Sequence, residues 1–245
     1  MLRAGFVLVF GLLMLATAAA AERVALIIGN GGYAELPRLI NPVHDAEDLS
    51  DLLRKAGFEV LTGIDLDRAG MDAKAREFAA LAKNAEIVLF YYAGHSVSSG
   101  GDDILIPVDA KLATAEDVMS SGIAAGVILK PAMAKRRVTI ALLDVARTNP
   151  FGPELDKLAK NYGDVFQNRD VMTVHATGPG ETAADGVGRN SPFMVSLLKH
   201  LTEKGVDLEQ AMTKSLRKEV AEATDNRQFP WVRSSLTQKV YLGGQ

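Results

Sequence analysis

The sequence predicts an α/β fold: a three-layer α/β/α sandwich around a mainly parallel sheet of about six strands. Three observations carry that reading. Short, continuous apolar runs recur at 23–29 (RVALIIG), 86–92 (EIVLFYY) and 137–143 (RVTIALL), as strands covered on both faces require. Between them lie segments whose apolar residues are spaced three and four apart, the period of a helix with one buried face. The 245 residues are 48% apolar and 23% charged and contain no cysteine, which is enough to bury a large core without disulfides.

The elements follow in order. The first strand, 23–29, ends in a turn at Asn30, Gly31 and Gly32. No helix begins directly after this glycine-rich turn, so it is not a dinucleotide-binding fingerprint. From Asn41 the pattern is helical, with Ala46, Leu49, Leu52, Leu53 and Ala56 on one face and Gly57 as the stop. Residues 58–64 alternate as a second strand. Asp67 is an N-cap for a helix with the stripe Met71, Ala75, Phe78, Ala79 and Ala82.

The third strand, 86–92, leads into a Ser- and Gly-rich stretch that returns at 103–108, a hairpin excursion with Asp102 and Asp103 at a solvated tip. Residues 118–134 are expected to be helical, against the pull of Gly122, Gly126 and Pro131. Strands follow at 137–143 and 171–176. Ser191 and Pro192 are an N-cap and first-turn proline, opening a helix with Phe193, Met194, Leu197, Leu198 and Leu201 inward. Leu208, Met212, Leu216 and Val220 mark the next helix, and 239–242 a short final strand. Trp231 is expected in the core.

The first 21 residues carry Arg3, an apolar run at 6–15 and small residues at 18–21. That is the pattern of a secretory signal peptide cleaved after Ala20 or Ala21; the run is short for an uncleaved anchor across about 30 Å of hydrocarbon. The expected domains are a signal peptide, 1–21, and one folded domain, 22–245, exported to the periplasm or secreted. No later segment is apolar enough to span a membrane. With 27 Lys and Arg against 30 Asp and Glu, the net charge of −3 suggests neither a nucleic-acid groove nor binding to an anionic membrane. The lack of cysteine excludes thiol catalysis and Cys-based metal sites. His44, His175 and His200 have no metal-ligand spacing, and His175 is expected to be buried at a strand end.

In a parallel sheet, functional residues collect beyond the C-terminal ends of strands. The two loops to read are therefore Tyr91-Tyr92-Ala93-Gly94-His95-Ser96 and Leu142-Leu143-Asp144-Val145-Ala146-Arg147. They resemble the active-site loops of caspase-like cysteine peptidases, above all the bacterial metacaspase and orthocaspase branch. That family carries Tyr-x-Gly-His-Gly after its third strand and Asp-Ala-Cys-Arg after its fourth. The resemblance continues through Asn41-Pro42-Val43-His44-Asp45-Ala46, Pro107-Val108-Asp109, Asp185 to Gly188 with Ser191-Pro192-Phe193, and Gln228 to Trp231 with Ser234-Ser235-Leu236. It implies a caspase-like fold over nearly all of 22–245.

The resemblance makes His95 the retained base position and Ala146 the lost nucleophile position. A methyl group has no lone pair to attack with, and loss of the nucleophile from a comparable dyad costs on the order of 10⁶ in turnover. Ser96 also departs from the family's glycine, where a Cβ can crowd the loop. Ser96 and Thr148 are the hydroxyls nearest in sequence that could substitute, yet neither has an evident activating triad. The expected state is a pseudo-peptidase.

In the metacaspase branch, acidic residues hold a substrate Arg or Lys, and two of them map to Asp45 and Asp144. A small polar residue of that pocket maps to Ala93, so one hydrogen bond is absent. For Asp45 the alternative is a cap on its own helix; for Asp144 it is an ion pair with Arg147. The implied partners are a peptide or protein with Arg or Lys, and an active caspase-like relative that this chain regulates. A working hydrolase with an unconventional nucleophile, or a purely structural interaction module, are the competing readings. No cofactor is implied; some family members bind calcium through acidic loops, but no segment here can be assigned that role. In this family the chain can be cut between a larger and a smaller part, here within 161–169.

Overall fold

The structure, a computed structural model, describes residues 22–133, 137–159 and 169–244. The expected signal peptide and all but the last residue of the expected cut region lie outside them.

Six strands form the main sheet in the order β2-β1-β3-β7-β8-β9: β1 Arg23–Gly29, β2 Glu59–Ile64, β3 Ile87–Ala93, β7 Val138–Asp144, β8 Val171–His175 and β9 Trp231–Ser234. The first five are mutually parallel, and β9 runs antiparallel to β8 at the edge. A second, antiparallel sheet joins β4 Ser96–Ser99, β5 Asp102–Leu105 and β6 Ile123–Ala124.

Strand alternation builds two cores. Ala25, Ile27, Leu89, Tyr91, Leu142 and Val174 face one side, covered by α1 Pro42–Lys55, by α6 Pro192–His200 and by the helix that follows. That last helix runs through α7 Leu208–Gln210, a π-helical stretch Ala211–Leu216 and α8 Arg217–Ala223. Val24, Leu26, Ile28, Phe90, Tyr92 and Leu143 face the other side, covered by α2 Arg68–Leu81 and α4 Ala125–Leu129. The expected N-caps are in place: the Asp67 carboxylate accepts from Gly70 N at 2.7 Å and the Ser191 hydroxyl from Met194 N at 2.9 Å. At the end of β1, a Cβ on Gly29 would run into the Pro42 carbonyl, so glycine lets α1 start directly against the strand.

Several expectations fail for identifiable reasons. The single helix over 118–134 is instead α3 Ala115–Ser121, β6, α4 and a 3-10 turn Lys130–Ala132. Thr114 and Asp117 form a capping box that starts α3 early. Gly122 then turns extended, which lets 123–124 join the hairpin sheet, and Pro131 prevents α4 from continuing. Residues 239–242 are not a strand: the Val240 carbonyl and N–H bond Leu208 N and Asp207 Oδ1 at the start of α7. The antiparallel sixth strand is 231–234, which leaves Trp231 43% exposed at the sheet edge rather than in the core. A short helix, α5 Pro153–Leu158, was not anticipated. Asp102 and Asp103 are each only 2% exposed, so they are not a solvated tip. Asp102 accepts from Gly126 N at the start of α4, and Asp103 meets His175. Among the described residues, no helix is long and apolar enough to cross a membrane.

Candidate functional site

The site is set by strand register. Ala93 pairs with Asp144, so β3 and β7 end side by side and their following turns share one edge of the sheet. Asp45, Ala93, His95, Asp144 and Ala146 all line a single pocket of about 200 Å³ there. Leu39, Pro42 and Ala183 supply apolar wall, and Asp185 and Ser191 come from the loop between β8 and α6.

The turn after β3 is built around two tyrosines. Gly94 has a φ of 152°, and a Cβ there would lie 2.6 Å from the Tyr33 hydroxyl and 2.7 Å from that of Tyr92. Only glycine allows this approach. The His95 N–H donates to the Tyr33 hydroxyl at 2.8 Å, and the two rings pack with centroids 4.6 Å apart, tilted by 53°. His95 Nε2 lies 2.8 Å from the Pro37 carbonyl, which can only accept. Nε2 therefore carries the proton, and in the neutral ring Nδ1 is the free base.

Ala146 stands in the turn after β7. Among the described residues, the pocket presents no thiol or hydroxyl at that position. Ser96 begins β4 without a left-handed backbone, so its Cβ causes none of the expected strain. Its hydroxyl donates to the Ala146 carbonyl at 2.7 Å, and neither Ser96 nor Thr148 lines the pocket.

The acidic side is more elaborate than expected. Asp45 is fully buried, and its carboxylate accepts from Asn190 Nδ2 at 2.9 Å and Ser191 N at 3.2 Å; it does not cap its own helix. Asp144 accepts from Ser191 Oγ at 2.5 Å. It does not pair with Arg147, whose guanidinium sits 3.9 Å from Asp103. Burial raises both carboxyls, Asp45 to about 6 and Asp144 to about 8; mutual repulsion adds to the Asp144 shift, and Asp185 adds to both. Asp185 accepts from the N–H groups of Ile40 and Asn41 at 2.8 and 3.3 Å, which fixes a third carboxylate on the pocket wall.

Sequence reading missed Asp185 and Ser191 as site residues. Asp185 stood only as part of a loop motif, and Ser191 as a cap and part of the motif that follows it; these roles coexist with the pocket role. His175 is buried as expected, and its bond to Asp103 is new. Among the described residues, no group of three or more His, Asp or Glu side chains is placed to hold a metal ion.

This arrangement can be compared with known proteins. The family model described as Caspase domain matches residues 22–241. Mucosa-associated lymphoid tissue lymphoma translocation protein 1 from Homo sapiens is 40% identical over 91 residues, which is 37% of this chain and 11% of that protein. Its Mus musculus homolog matches over the same extent. The match thus spans about a tenth of the length of these curated relatives. The crystal structure of caspase-1 from Spodoptera frugiperda superposes with a TM-score of 0.67 at 18% identity, covering 92% of this chain and 91% of that one, and shares the fold. With its family model matching residues 22–241 and its sheet and site loops arranged as above, this chain belongs to the caspase domain family.

Proposed function

We propose that this caspase-domain protein binds exposed Arg- or Lys-bearing segments of polypeptides without cleaving them. The observation that carries the reading is one pocket holding three carboxylates, from Asp45, Asp144 and Asp185, beside a positioned His95 and a methyl group at Ala146. The carboxylates suit a cationic side chain whose aliphatic stem lies along Leu39, Pro42 and Ala183. Peptide hydrolysis through His95 needs a nucleophile within its reach, and Ala146 offers none. The Ser96 hydroxyl, engaged with the Ala146 carbonyl, supports the non-catalytic reading over a serine-based one.

The motifs of 91–96 and 144–147 support a place in the metacaspase branch, and residues 1–21 support export. A protein of this kind regulates an active relative by competing for the same basic segments or by pairing with it.

The test is hydrolysis and binding of fluorogenic Arg and Lys peptides by the wild type, His95→Ala and Ala146→Cys. The expected result is binding without turnover in the wild type and turnover gained in Ala146→Cys. Wild-type turnover that vanishes in His95→Ala would falsify the proposal. Absence of binding in all three proteins would instead leave a structural module, in which Asp45→Ala and Asp144→Ala leave partner capture unchanged.

A further inference from the structure

The hairpin β4–β5 is fastened to the turn after β7 at successive points. The Ser96 hydroxyl holds the Ala146 carbonyl at 2.7 Å, and Ser98 N donates to the Thr148 carbonyl at 3.0 Å. Between these bonds, the Asp103 carboxylate stands 3.9 Å from Arg147 Nε. Asp103 also receives Ser98 Oγ at 2.7 Å across the hairpin and His175 Nε2 at 2.7 Å from the end of β8. One buried carboxylate thus joins the hairpin, the last residue of β8 and the turn that carries Ala146.

A buried ion pair is a weak source of stability, because desolvation consumes most of its attraction. Here the surrounding ladders are complete without it: β7 pairs with β8 through Leu143 and His175, and β5 pairs with both β4 and β6. Burial alone would raise the Asp103 carboxyl, but the bonds from His175 and Ser98 and the Arg147 charge hold it below the usual carboxylate range. The group therefore stays ionised. What it adds is direction, because Ser98 and His175 donate to its two oxygens and the Arg147 charge faces it at 3.9 Å.

We infer that Asp103 is a positioning residue of the site: with His175 and Arg147 it fixes the turn bearing Val145 and Ala146, and so sets the geometry of that pocket wall without touching the ligand. The inference takes the pocket as the ligand site, but its test involves no ligand, so failure of the binding proposal leaves it standing or falling by itself.

The chain has no cysteine, so Ala146→Cys introduces a sole thiol at the end of this turn. Its alkylation by iodoacetamide is followed against pH, well below the unfolding temperature, with and without His95→Ala. The expected result is a rate that depends on His95. Adding Asp103→Asn abolishes that dependence and slows alkylation about tenfold near neutral pH, as a one-unit rise in thiol pKa requires. A control thiol from Val187→Cys, at a fully exposed position, keeps its rate with or without Asp103→Asn. Should Asp103→Asn fail to unfold cooperatively, Ser98→Ala removes a single bond to Asp103 and shows the same change at smaller size. Asp103 is merely structural if these variants lower Tm while the pH profile and His95 dependence persist. A thiol that ignores His95 in Ala146→Cys alone also overturns the inference, because the turn then has no fixed geometry to set.

Discussion

Ser191 Oγ lies 2.5 Å from Asp144 Oδ2, so the residue that caps α6 also satisfies a buried acid of the pocket. The Ser191 N–H faces Asp45 as well. One residue therefore links the start of α6 to both carboxylates, and the pocket wall cannot shift without disturbing that helix.

Ser191→Ala removes the cap and strips Asp144 of its donor. The expected loss at about pH 9.5, where Asp144 is ionised, is about 2–4 kcal/mol, combining about 1 for the cap with about 1–3 for an unsatisfied buried group. At pH 5 Asp144 is neutral and the loss falls toward that of the cap. Urea unfolding at the two pH values checks this, and an equal loss at both would remove Asp144 from the explanation.

The raised carboxyls make stability fall as pH rises. Asp45 and Asp144 hold protons in the folded state, up to about 6 and about 8, that the unfolded chain loses near about 4. Their contribution is full below the unfolded value and lost on passing through the folded ones, so Tm is higher at pH 5 than at pH 8. Asp144→Asn keeps the shape of the group, cannot ionise, and flattens that slope. A slope unchanged in Asp144→Asn would show that other groups produce it.

Binding of a cationic side chain has the opposite sign. The cation favours ionised Asp45 and Asp144, so it releases protons and binds more tightly toward pH 8. Affinity rises by up to about tenfold per pH unit where one proton leaves per ligand bound. Calorimetry of an Arg peptide in two buffers of different ionisation enthalpy counts the protons. Proton uptake, or none, would contradict the acidic pocket as the binding locus.

Gly94→Ala tests the turn on the other side of the pocket. The added methyl meets two buried tyrosine hydroxyls and needs a backbone conformation that alanine rarely adopts. The expected loss is about 2–4 kcal/mol, with His95 displaced from Pro37. An NMR titration of the His95 ring would register that displacement; an unaltered ring environment would show that the turn absorbs the methyl.

How much of this was legible follows from the range of each interaction. The strands of the parallel sheet announce themselves because burial on both faces demands apolar runs such as 23–29 and 137–143. His95, Asp144 and Ala146 were singled out because they lie at or just past strand ends in loops that resemble the family's, and Asp45 because it sits in a motif at the start of α1; all four line one pocket. The fragmented segment 115–132 was not legible. Its helical spacing is genuine, but Gly122 and the Asp102 bond to Gly126 divert the backbone into a second sheet. Asp103 and Asp185 were misread or passed over because polar loop residues look solvated in one dimension. Their partners, His175 and the N–H groups of Ile40 and Asn41, lie 72 and about 145 positions away, a separation that leaves no periodic trace.

Ser96 separates the non-catalytic reading from a serine-based one. Its hydroxyl is committed to the Ala146 carbonyl, and the free nitrogen of His95, the residue before it, is Nδ1, to which the Ser96 hydroxyl donates nothing. An activated serine needs its proton directed at a base, whereas this one directs it at a carbonyl that cannot take it. A serine-reactive phosphonate is therefore expected to leave the wild-type protein unlabelled. Ser96→Ala is expected to cost about 1 kcal/mol through the lost hydrogen bond and to leave peptide affinity unchanged. Mass-spectrometric detection of a phosphonate adduct at Ser96, absent in Ser96→Ala and in His95→Ala, would make the protein a working hydrolase. Labelling that survives His95→Ala would mark a surface hydroxyl reacting without the site.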